Sequence, residues 1–265
     1  MRGWTASVMA TLALVRLGRG FTAADWMACA RVGRAFGGLG RPVRMSSSGG
    51  ELGRLKAVTD RQGTVLIRHT QRTVPVDTEL LEEQVRAILA VLELPHMDVG
   101  LWLSSDRTVR DWNTRYRGMR KSTDILSFPF YDQLRAPDPL PEMQCEDDMN
   151  LGDMIVSVPY VARACKRDHR DALSMGEDSW TGESVQLGGV SGEMMHYFSP
   201  QPRLALLVIH GICHLLGHDH EEDSEYALMR AEEERLIRGL EAKGLLGPRD
   251  ELPREAAGDG NDGRL

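Results

Sequence analysis

The stretch that most constrains this chain runs from Leu204 to Leu216. Leu204, Ala205, Leu206, Leu207, Val208, Ile209, Ile212, Leu215 and Leu216 leave a helix here with almost no polar side. Such a helix has no face to offer water, so it must lie in the core with other elements packed about it. Into that stretch the chain places His210 and His214. Four residues are a little over one turn, so both imidazoles leave the same side of the helix, and burial holds them rigid. Gly217 can end the helix in a left-handed conformation, and His220 then returns toward the same point. Two ligands fixed on a helix and a third brought back by a turn give three nitrogen donors with a fourth position open. That is the arrangement of a catalytic zinc that keeps a water. The competing reading is a set of core histidines satisfied by hydrogen bonds. Three at this spacing, with glycine at the turn, favour the metal.

The rest of the composition allows such a core. The chain has 265 residues, enough for one full domain or two small ones. Hydrophobic content of 42% and charged content of 27% place it among soluble globular proteins. No run approaches the roughly 18 apolar residues needed to span a bilayer, so no membrane partner is expected. Cys29, Cys145, Cys165 and Cys213 form no CxxC pair, which argues against a disulfide framework. Cys213 lies about 60° around the helix from His210 and reads as a small buried apolar group.

Residues 1–45 differ in character from the remainder of the chain. They hold seven arginines, no lysine and a single acid, Asp25. The apolar stretch Ala6–Val15 is too short to cross a membrane. An Arg-rich, acid-poor leader has the character of an organellar targeting peptide, with a secretory signal as the rival. Sparse serine before Ser46 favours the mitochondrion over the chloroplast. Removing seven Arg and one Asp takes the net charge from −7 to −13. A mature protein this acidic must meet any nucleic acid through a local basic patch.

Residues 46–62 read as a linker and 63–247 as the folded domain. Thr64–His69 is a strand candidate. Asp77 is placed to cap a helix over 80–92, where Leu81, Val85, Ile88, Leu89 and Leu92 recur at helical spacing. Met97–Leu103 reads as a second strand, and Ser105 or Asp106 as the cap of a helix through about Tyr116. Thr123–Phe128 is a third strand, closed by Pro129, and Leu151–Val158 a fourth. Pro159 starts a helix through about Lys166. Residues 132–150 and 168–200 are two polar insertions, the second without a defensible period. Asp219 and Glu222 have the spacing of a capping box, and support of the metal ligands is the other role open to Asp219. The last helix runs to about Lys243 with Tyr226, Met229, Leu236, Ile237 and Leu240 on its apolar side, and Gly244 ends it. Residues 248–265 form a polar, Gly-rich tail of disordered character.

Between Arg107 and Lys121 lie six basic residues with Trp112 and Tyr116 among them. Basic side chains supply phosphate contacts and aromatic faces supply base stacking. A solvated helix face with the two rings in the core explains the same pattern.

Taken together, these motifs resemble the YbeY family of metal-dependent endoribonucleases that mature ribosomal RNA. The family pattern H-G-x-x-H-L-x-G-x-D-H is matched by His210, Gly211, His214, Leu215, Gly217, Asp219 and His220. Upstream, Asn113, Tyr116 and Arg117 are followed by Thr123-Asp124-Ile125-Leu126-Ser127-Phe128-Pro129, and Leu151-Gly152-Asp153-Met154 matches the L-G-D-I strand. The resemblance covers roughly residues 64–244 apart from the insertions. The chain departs from the family at Arg120-Lys121-Ser122, where an acid and Lys-Pro are usual, and in the length of 168–200. The leader and Thr64–Pro75 look most like the animal mitochondrial branch.

The order of elements suggests an α+β domain, a small mixed four-stranded sheet packed against helices with the metal-binding helix buried at its centre. The resemblance implies the same. It further implies one Zn²⁺ held by His210, His214 and His220, a catalytic Arg117, and single-stranded ribosomal RNA as substrate. Small-subunit ribosomal proteins and an assembly GTPase are the implied partners. Arg117 suits charge on phosphoryl oxygens, and a surface ion pair is its ordinary alternative. No general base is evident. Two rivals stand beside this reading. A zinc peptidase shares the histidine spacing but needs Glu after the first His, where this chain has Gly211. A ribosome-assembly docking factor with a structural zinc needs no cleavage at all.

Overall fold

A computed structural model describes residues 61–175, 180 and 188–251. The expected leader, most of the linker and most of the tail lie outside the described residues. Among these, four strands and six helices follow in the order β1 (Val65–His69), α1 (Thr78–Val91), β2 (Asp98–Ser104), α2 (Asp106–Arg117), β3 (Ile125–Pro129), β4 (Asn150–Ser157), α3 (Val158–Met175), α4 (Gly189–Glu193), α5 (Pro200–Leu215) and α6 (Asp223–Ala242). The strand order is β1-β2-β4-β3. The first three strands run parallel and β3 pairs antiparallel to β4, so the sheet is mixed. The α+β class and the four-stranded mixed sheet are as the sequence suggests.

Local signals set the start of α1 and both ends of α2. Asp77 accepts from the Leu80 N–H at 2.9 Å and starts α1. Ser105 does the same for α2 through the Thr108 N–H, and Gly118 ends it at φ 69°.

Strand alternation gives the sheet two unlike faces. Val99, Leu101, Leu103, Ile125, Met154 and Val156 join the main core. Leu126, Phe128 and Ile155 point the other way, to a small cluster with Val109, Trp102, Trp112 and Tyr116. Helix α5 packs on β3 and β4 on the main-core side and is also covered by α1, α3, α4 and α6. Every residue from Arg203 to Leu215 is buried, as an all-round apolar helix requires. Helix α2 covers β3 and β4 on the opposite face. No helix among the described residues is long and apolar enough to cross a membrane.

Two expectations need correction. Helix α3 continues to Met175, well beyond Lys166 and into the stretch read as an insertion. Its inner face is built from Val161, Ala164, Cys165 and Ala172, mostly small residues that give a weak period. Asp168 lies next on that helix and bonds Arg203 of α5 at 2.5 Å. The same stretch also ends in structure: α4 and a 3-10 turn at Met194–His196. Trp180 is buried with Ala172 and Met195, and its Nε1 donates to the Met195 carbonyl at 2.8 Å. The other stretch, 132–150, is a loop with one 3-10 turn at Glu146–Asp148, and it buries Leu134.

Candidate metal centre

Helix α5 presents His210 and His214 from successive turns. Their Nε2 atoms face each other at 2.9 Å, with the rings at 83°. Gly217 leaves the helix at φ 82°, and the turn brings the His220 ring to 5.6 Å from His210 and 5.2 Å from His214. The ligand atoms of all three lie within 4.8 Å of one another. The structure therefore brings together the three histidines read from the sequence.

Their outer nitrogens fix the tautomers. His214 Nδ1 lies 2.9 Å from the His218 carbonyl oxygen. A carbonyl only accepts, so Nδ1 carries the proton and Nε2 keeps its lone pair. His210 Nδ1 lies 2.7 Å from Glu233 Oε1, and an ionised carboxylate sets the same tautomer. With Glu233 ionised, two lone pairs meet at 2.9 Å, a repulsive contact that a cation between them relieves. A proton is disfavoured there. Burial, reinforced by His220, pushes His210 down to about 3. Burial and then the His210 ring push His214 well below the usual imidazole range. His220 Nε2 is also buried and has no hydrogen-bond partner among the described residues. A metal cation satisfies all three nitrogens at once, so the residues fit the group.

Glu233 is a site residue that the sequence motifs do not single out. Its Oε2 accepts from the Val190 N–H at 2.9 Å, so one carboxylate ties α4 to the first histidine. Burial raises the carboxyl to about 7 against the pull of that N–H. A signal for it exists: Glu233 lies in the apolar stripe of α6, four residues after Met229 and three before Leu236. An acid facing a core requires a partner.

Asp219 is not a helix cap. Helix α6 begins at Asp223, with Glu222 as N-cap and no side-chain cap bond. Asp219 is buried and its Oδ1 accepts from the His220 N–H at 2.7 Å. The carboxylate shapes the turn that aims His220 inward, and the chain needs three further residues before a helix can start. A Cβ on Gly217 would approach the Leu134 carbonyl carbon at 2.7 Å and Arg135 Cα at 3.0 Å. The Gly217 carbonyl accepts from the Ala136 N–H at 3.2 Å, so the 132–150 loop braces this turn.

Gly211 points onto the sheet. A Cβ there would overlap Met154 Sδ and come within 2.8 Å of Ile125 Cδ1 and 3.2 Å of Ser127 Oγ. The peptidase reading thus fails on space as well as chemistry, since no glutamate fits where that mechanism needs one. Cys213 is buried, and burial pushes its thiol well above its ordinary value, in keeping with an apolar role.

Arg117 closes α2, on the sheet face opposite α5, beside edge strand β3. Its Nη1 is buried without a hydrogen bond among the described residues, and burial lowers its pKa. A desolvated donor with no carboxylate against it favours an anion. Trp112 and Tyr116 stack at 5.1 Å and both meet Phe128 edge-on. The two rings thus serve the core cluster, while Arg107, Arg110, Arg115, Arg120 and Lys121 stay exposed.

Comparison with known proteins agrees with this geometry. The family model described as endoribonuclease YbeY matches residues 66–175 and 191–241. The chain belongs to the YbeY family. Among its relatives, the human endoribonuclease YbeY is 26% identical over 176 residues, covering 66% of this chain and 86% of the human one. That of Desulforamulus reducens is 29% identical over 180 residues, covering 66% and 96%. That of Myxococcus xanthus reaches 33% over 169 residues, covering 63% of this chain and 45% of its own. The segments matched by the family model include the three histidines, Arg117 and Glu233.

Proposed function

We propose that this chain is a zinc-dependent endoribonuclease, specific for single strands, that acts in ribosomal RNA maturation and small-subunit biogenesis. The observation that carries the reading is the trio His210, His214 and His220: two Nε2 atoms facing each other at 2.9 Å and a third, buried Nε2 without a hydrogen bond among the described residues, in a member of a family named for endoribonuclease activity. Three imidazole nitrogens with an open position suit zinc best among common divalent ions. When bound, zinc supplies Lewis acidity toward a phosphoryl oxygen and lowers the pKa of a water toward neutrality.

The chain's own residues do the rest. Glu233 and the His218 carbonyl hold the Nδ1 protons of His210 and His214, so both Nε2 lone pairs stay aimed at one point. Asp219 and Gly217 hold the turn that brings His220 in. Arg117, with a desolvated guanidinium, neutralises charge gathering on the phosphoryl oxygens. It reaches substrate around edge strand β3, and the exposed basic residues of α2 and the following loop extend the phosphate-binding surface there. The Arg-rich leader and the likeness to the human relative support a mitochondrial location. Small-subunit ribosomal proteins and an assembly GTPase are the partners that would guide an acidic protein to RNA.

The test is cleavage of a labelled RNA carrying one single-stranded and one duplex region. We expect cuts confined to the single strand, lost on chelation and restored by zinc. Equal cutting of the duplex removes the strand specificity, and full activity in chelator removes the metal.

A further inference from the structure

Arg117 would reach the phosphate from a helix on the opposite sheet face, and no cation on the metal side has yet been assigned to the strand. Beside His210 and His220 lies a cavity of about 50 Å³ whose other walls include Ser191, Tyr226, Glu233 and Arg230. That space holds several water-sized groups, on the order of what the non-bridging oxygens of one phosphodiester and a water require. Among the described residues of its wall, Arg230 alone carries a fixed positive charge. Arg230 also walls a second, open cleft of about 300 Å³, which Arg238 and Arg249 line together with their ion-pair partners Glu193, Glu234 and Glu241. Its guanidinium therefore stands between the histidines and an open channel.

The guanidinium is held in place. Arg230 Nε donates to Glu234 Oε1 at 2.8 Å, and the same oxygen accepts from the Gly189 N–H at 3.4 Å. Gly188, at φ 61°, lies flat against it: a Cβ there would collide with the guanidinium atoms. Among the described residues its two η nitrogens make no hydrogen bond. One edge is thus fixed by Glu234 and the other, with its paired donors, is free to accept a phosphate. The need is local, because Glu221, Glu222 and Asp223 follow His220 directly and would repel an RNA strand.

We propose that Arg230 is a substrate-binding residue of this site, contacting the phosphodiester at the histidine cluster while the strand leaves through the cleft on its far side. The proposal rests on the endoribonuclease reading.

The experiment uses zinc-loaded full-length protein and a single-stranded RNA of about one dozen nucleotides. Wild type is compared with Arg230→Gln, Arg230→Lys, Glu234→Gln and Arg72→Gln, an exposed control in the loop after β1. Equilibrium binding over a salt series and steady-state cleavage are both read, with zinc content and melting temperature beside them. Arg230→Gln should keep its zinc, lose about tenfold in kcat/KM and flatten the salt slope by roughly 0.7, the value for one lost phosphate contact on a single strand. Arg230→Lys should recover part of the affinity, and Arg72→Gln should match wild type. Glu234→Gln removes the ion pair but keeps the cation, so it should bind RNA at least as tightly as wild type. Loss in Glu234→Gln equal to that in Arg230→Gln assigns the effect to the ion pair and overturns the proposal. Unchanged binding and cleavage in Arg230→Gln overturn it with the endoribonuclease reading intact. Wild type that binds but never cuts removes that reading, and the salt slope still decides Arg230. Wild type that neither binds nor cuts removes both.

Discussion

Helices α5 and α2 lie on opposite faces of one sheet and obey different rules. Helix α5 is enclosed on all sides, and each of its residues from 203 to 215 is fixed by what it touches. Gly211 is glycine because Met154, Ile125 and Ser127 leave no room, and burial holds its two histidines with their Nδ1 atoms on Glu233 and the His218 carbonyl. Helix α2 buries only Val109 and Asn113, and its basic residues other than Arg117 stand in solvent. The histidine site is therefore built by packing, and the proposed RNA-facing surface by charge. Damage to the first should act through fold and metal, and damage to the second through substrate.

The largest break comes from Gly211→Glu. The carboxylate has no space and no partner, so folded protein should be lost outright, read as absence of a cooperative thermal transition. Gly211→Ala is milder, with overpacking expected to cost about 1–3 kcal/mol in denaturant unfolding. Next is Arg117→Ala. It should keep its zinc and melting temperature while cleavage falls by about 10²–10³, the usual cost of one transition-state donor. A comparable fall in zinc content would place Arg117 in the metal half of the comparison. Glu233→Gln comes third. It weakens the hold on the His210 Nδ1 proton, and zinc affinity by chelator competition should drop about tenfold or more.

A smaller effect tests the other sheet face by pH. Asp153 lies over Gly100 on β2, and burial raises its carboxyl to about 6. A folded pKa above the unfolded one gives stability that is present below about 4 and lost as pH rises through 6. Asp153→Asn removes that loss. Its melting temperature relative to wild type should rise between pH 4 and pH 8, by on the order of 4 °C. A constant difference would show that the carboxyl does not titrate in this window. The smallest effect is at exposed Arg107, where Ala should change stability by less than about 0.5 kcal/mol.

Legibility in the sequence divides along the same line. Helix α5 and the histidine turn are legible because burial on every side and a glycine at the turn are written in residue types. The start of α1 and both ends of α2 are legible through Asp77, Ser105 and Gly118. The full length of α3 is not, because an inner face of Ala164, Cys165 and Ala172 is too small to mark a period. Asp219 leaves two roles open, because a capping box and a ligand-bearing turn share one spacing. Only the inward aim of His220 separates them. Glu233 is easily passed over, although an acid in the stripe of Met229, Leu236 and Ile237 signals a buried partner. The bond between Asp168 and Arg203 joins residues 35 apart in sequence and has no local signature.

The central claim is that the three histidines hold the metal with which this chain cuts RNA. The most direct test is zinc content measured together with ribosomal RNA cleavage, on wild type and His214→Ala starting near Ser46. The account predicts about one zinc per wild-type chain and cleavage, with both lost in a His214→Ala protein that still folds. Wild type that is folded and zinc-loaded, yet cuts neither naked RNA nor RNA in ribosomal particles, would contradict it and leave a docking factor with a structural zinc.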